Sequence, residues 1–70
     1  MSNLDARLLD AHAAGDRQAL VALYRQAADA ARQADARGFY LTHAYVFALE
    51  IGHPEIGALR NRLKEMGREE

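Results

Sequence analysis

Three histidines carry the broadest chemistry in this chain: His12, His43 and His53. His53-Pro54-Glu55 has the H-x-E form of the zinc deaminases, in which the Glu moves protons beside a metal-bound water. That site needs a P-C-x-x-C segment to complete its zinc ligands, and the chain contains no Cys. The expectation for residues 53–55 is therefore a turn that starts a helix. His43 and Glu50 are seven residues apart, so on a helix they share a face two turns apart. With His12 they would form a His/His/Glu metal set if the helices carrying them were neighbours. No H-E-x-x-H or E-x-x-H spacing supports that set, and neither metal nor cofactor is expected. A nucleophile would be Ser2 or Thr42 beside a base. Ser2 is most simply a helix cap. Thr42 adjoins His43, but neighbouring helix residues point about 100° apart. There is no Gly-rich phosphate loop, and the chain is expected not to be an enzyme.

The elements that would position these groups are helices. Ala, Leu, Arg, Gln and Glu dominate the composition, and all are strong helix formers. No stretch alternates apolar and polar residues for long enough to read as a strand. A first helix is expected over residues 4–14, capped by Ser2 or Asn3, with Leu4, Leu8 and Ala11 on its apolar stripe and Gly15 at its end. Asp16 is a good cap for a second helix, in which Leu20, Leu23, Tyr24, Ala27, Ala28, Ala31 and Ala34 hold helical spacing and Gly38 ends the segment. A third, over residues 39–51, is apolar nearly all the way round, so it should be central or face a partner. Gly52 closes it. Pro54 suits the first turn of a fourth helix, with Ile56, Leu59, Leu63 and Met66 on one stripe and Gly67 after it. The tail Arg68-Glu69-Glu70 reads as frayed.

The chain has 70 residues, which fits one small helical domain over 1–70. Its net charge of −1 argues against a nucleic-acid or anionic-membrane binder. Arg60, Arg62, Lys64 and Arg68 gather near the end, yet Glu55, Glu65, Glu69 and Glu70 surround them. No run of about 18 apolar residues offers a membrane span. Met1-Ser2-Asn3 is polar and no export signal is visible, so a cytoplasmic location is expected.

The two halves are alike. Ala11 and Gly15 recur as Ala48 and Gly52, an offset of 37, and Leu20, Leu23 and Ala27 recur as Ile56, Leu59 and Leu63, an offset of 36. Each half reads as helix, Gly-containing turn, helix, with hairpins over about 3–37 and 38–67. Stacked helical hairpins have such a period. On Ala19 through Ala28, and above all Tyr24-Arg25-Gln26-Ala27-Ala28, the chain resembles tetratricopeptide-type and Sel1-like helical repeats. Leu41, Ala44, Tyr45 and Gly52 resemble the small and aromatic positions of the following repeat. Leu4, Arg7 and Ala11 stand where a tetratricopeptide unit usually has Trp, Leu and Tyr, and Arg32 where Pro closes a unit. The fold expected is all-α: four helices as two stacked antiparallel hairpins, or a plain small helical bundle.

The resemblance implies that the first helix of each hairpin lines a peptide-binding surface. That surface would carry Phe39, His43, Val46 and Glu50 on the third helix, opposite Asp5, Leu9 and His12 on the first. The expected function is a protein–protein interaction module with a protein or peptide partner. Two alternatives stand beside it: a structural homodimer built on the apolar third helix, and a ligand- or metal-binding bundle using His12, His43 and Glu50.

Overall fold

Local chain reversals are set by a cap and two glycines. In the computed structural model, which describes residues 3–67, α1 spans Asn3–Ala14, α2 Arg17–Ala30, α3 Ala34–Ile51 and α4 Ile56–Glu65. The Asp16 carboxylate accepts the Ala19 N–H at 3.1 Å, which satisfies one of the free donors at the start of α2. Gly15 and Gly52 both adopt left-handed conformations, with φ of +65° and +62°. An L side chain there would meet its own backbone, and the chain turns at these points because Gly does not. Ser2 and the tail from Arg68 lie outside the described residues.

The third reversal falls elsewhere than expected. α2 ends at Ala30, and Ala31 and Gln33 take up extended conformations. Gly38 is not a stop: it is buried inside α3, which starts at Ala34 rather than Phe39. The Ala-Arg-Gln link has every intrinsic reason to stay helical, but propensity is a weak force beside packing. Reversal here lets Leu41, Ala44 and Ala48, all wholly buried, lie against Val21 and Ala28 of α2. The Arg37 guanidinium closes the link by donating to the Ala31 carbonyl at 3.2 Å. The start of α4 also shifts. Pro54 sits in a turn ahead of the helix, closed by the Ile56 N–H to the His53 carbonyl at 3.2 Å, where its fixed φ suits the second turn position.

The result is four helices with no strand among the described residues. The α2–α3 pair is the spine. The short link over 31–33 makes it antiparallel, so Arg17 at the start of α2 comes within 2.7 Å of Glu50 near the end of α3. α1 packs on one side of this pair and α4 on the other. Two continuous apolar clusters result. Leu59 and Leu63 of α4 join Val21, Ala28 and Leu41, while Ala11 of α1 joins Leu20 and Leu23 with Leu4 and Leu8 alongside. α4 is also tied to α2 by ion pairs Arg25–Glu55 and Arg62–Asp29. The fold is a slab of 32 × 28 × 13 Å. No helix among the described residues is long and apolar enough to cross a membrane.

Candidate functional site

The expected surface residues divide into a ring cluster and an apolar strip. α2 supplies the centre of the cluster, Tyr24, which is half-buried between α1 and α3. His12 reaches it from α1, with Nε2 and the Tyr24 hydroxyl 2.8 Å apart. His43 lies against the same ring from α3, with centroids 5.0 Å apart. Phe47 stacks on Tyr24 at 5.9 Å and 14°, and also meets His12 edge-on at 5.9 Å. Phe39 packs on His43 at 4.3 Å and on Tyr40 at 5.6 Å. Tyr40, His43 and Phe47 follow i, i+3, i+7 spacing, which places them on one side of α3.

Each histidine has a hydrogen-bond partner in the fold. The His43 Nδ1 donates to the Phe39 carbonyl at 2.8 Å, since a carbonyl only accepts. The Thr42 hydroxyl donates to the Gly38 carbonyl at 2.8 Å. Thr42 and His43 are thus each bonded back to their own helix and not to one another. Burial pushes the Tyr24 phenol above its ordinary 10.0, and Tyr40 beside it pushes the same way. That shift favours the neutral phenol, the opposite of what an activated nucleophile needs. His53 Nδ1 accepts the Glu55 N–H at 3.0 Å, and Glu55 pairs with Arg25, so the H-x-E motif is a turn. Glu50 pairs with Arg17 rather than joining His12 and His43. Among the described residues no three of His, Asp or Glu gather in a way that would hold a metal ion.

The strip lies on the outer side of α3. Phe39 is 56% exposed, Val46 46% and Leu49 51%, and Thr42 between them is exposed as well. On α1, Leu9 is 71% exposed and shares a flank with Asp5 and His12 through i, i+4, i+7 spacing. The structure therefore draws Phe39, His43 and His12 into one cluster, continues it along α3 through Val46 to Glu50, and leaves Asp5 and Leu9 beside it on α1. Sequence reasoning missed Tyr24, Tyr40 and Phe47 as members, and Leu49 on the strip. The spacing 40, 43, 47 was the available signal for the α3 rings. Leu49 was hidden because its helix is apolar all round, so periodicity selects no face. Apart from this surface, an open groove of about 420 Å³ between α1 and α2 is lined by small side chains such as Ala11 and Ala22 together with Arg7, Asp10 and Asp16.

No protein-family model matches the chain, and neither a curated protein nor a solved structure matches it.

Proposed function

We propose that this chain is a non-catalytic protein-interaction module that binds through the outer surface of α3 and the adjoining flank of α1. One observation carries this reading. The same helix that buries Leu41, Ala44 and Ala48 completely also turns Phe39, Val46 and Leu49 outward, each about half exposed. At those fractions the three side chains offer on the order of 250 Å² of apolar surface, approaching the largest patch of a typical monomer, which is often functional. The ring cluster borders the strip with groups that are flat, stiff and polar at the tip, the kind enriched at protein interfaces. The helical-repeat reading of the sequence supports the same surface.

The test is a photo-crosslinking amino acid placed at Val46 in the source cell, with the same group at Arg60, exposed on α4, as the control. Protein adducts at position 46 and few at 60 are expected. Equal yields at the two positions, or none at 46, would refute the assignment.

A further inference from the structure

We infer that the strip on α3 is covered by a second copy of this chain, with the two α3 helices antiparallel; this rests on the reading of that surface as a protein interface. Phe39, Thr42, Val46 and Leu49 are spaced 3-4-3. That is the a-d-a-d seam by which one helix seats its side chains in the holes of another helix of the same kind. All four are exposed, so the seam is unpaired within one molecule. The one polar member is already satisfied, because the Thr42 hydroxyl donates to Gly38, and only its methyl need meet the partner. A 3-4-3 seam is complementary to its own copy, which an arbitrary partner need not be. The seam runs about 15 Å; its roughly 250 Å² of apolar surface would form the core of the contact, and the flanking residues of α3 and α1 would have to meet as well for it to reach the roughly 800 Å² per partner of a standard interface.

The antiparallel sense follows from size and charge. It sets Phe39 against the partner's Leu49 and Thr42 against the partner's Val46, pairing the larger residues and the smaller ones separately. It also opposes the two helix dipoles and keeps Glu50 away from the partner's Glu50, which a parallel pair would bring together. A twofold axis then passes between Thr42 and Val46 on the outer face of α3, and the contact is closed and isologous.

Sedimentation equilibrium of the whole chain over rising concentration tests this. The expected result is a dimer whose dissociation constant rises roughly thirtyfold or more in Val46→Glu and in Leu49→Glu. Both positions are exposed in the single molecule, so circular dichroism should show helicity unchanged. A monomer up to millimolar concentration overturns the inference, as do variants that associate like the wild type. The orientation is read by cysteine pairing, since the chain has none of its own. Thr42→Cys mixed with Val46→Cys should form the mixed disulfide in preference to either like pair. Preferential Thr42→Cys self-pairing refutes the antiparallel arrangement. A sedimenting monomer that still forms position-46 adducts with a different protein would sink the dimer and leave the interaction surface standing; no position-46 adducts would sink the surface itself.

Discussion

Replacing Leu59 with Ala tests the packing of α4 most directly. Leu59 is 1% exposed and belongs to one apolar cluster with Val21, Ala28 and Leu41, which are themselves 0–1% exposed. Core Leu→Ala changes cost about 2–5 kcal/mol, and the larger values belong to sites that cannot collapse. Much of this cluster is alanine: Ala28, Ala44 and Ala48 hold the helices close and have no side-chain atoms to swing into a void. The upper half of the range, about 3–5 kcal/mol, is therefore expected. A domain of this size is stabilised by about 4–10 kcal/mol in total, so the melting temperature should fall by about 10 °C or more. Urea denaturation followed by circular dichroism, at a concentration where wild type and variant are both monomeric, reads the change. The denaturant slope should be unchanged if the loss is global. Leu49→Ala is the matched control: Leu49 is half exposed, and its truncation should cost about 1 kcal/mol or less in the monomer. A Leu59→Ala loss below about 1 kcal/mol, or equal losses at 59 and 49, would show that α4 does not pack as described.

Three further outcomes are expected. The folded chain holds the Tyr24 proton more tightly than the unfolded chain does, since the phenol is raised above 10.0 by burial and by Tyr40. The stability this contributes is complete below pH 10.0 and is lost as pH rises through the folded value, because the unfolded state releases its proton first. Denaturation near pH 9 and near pH 11, bracketing that range, should show a steeper fall for wild type than for Tyr24→Phe, and equal falls would contradict the burial of this ring. Gly52→Ala should cost about 1 kcal/mol, as a Cβ there meets nothing within 4 Å and only the backbone at φ +62° resists; D-alanine at the same position, introduced by chemical synthesis, should be tolerated or mildly stabilising. Asp16→Ala should cost about 1 kcal/mol in thermal or urea melts, while Asp16→Asn should retain most of the cap.

What was legible in the sequence followed from residues with a local physical meaning. Asp16, Gly15 and Gly52 mark their turns through capping and positive φ, and the stripe Leu59–Leu63 faces the core as its spacing requires. The reversal at residues 31–33 was not legible. Nothing in Ala31-Arg32-Gln33 disfavours a helix, and the packing that breaks it involves Leu41, Ala44 and Ala48, residues distant in the chain. Gly38 misled because a glycine reads as punctuation from sequence alone, whereas here it is buried within a helix. The site was half legible. His12, His43 and Phe39 lie in one cluster of rings, but the ring that gathers them is Tyr24, and its spacing marks only an apolar face of α2. The hairpin picture also understated α2 and α3, whose contact crosses the boundary between the two proposed units.

The two flanks of the slab are held unequally. α1 is the outermost layer on its side and is secured by one buried alanine, the two partly covered leucines Leu4 and Leu8, and the His12–Tyr24 hydrogen bond. α4 is held by two wholly enclosed leucines and two ion pairs to α2. Peeling α1 away would uncover Leu20, Leu23 and the faces of Tyr24 and Phe47 while leaving the rest of the molecule assembled. Amide protons of α1 should accordingly exchange with solvent first and those of α2 and α3 last. With α1 released the chain would present more apolar surface than it does at rest, and the strength of the α1 attachment would set how often.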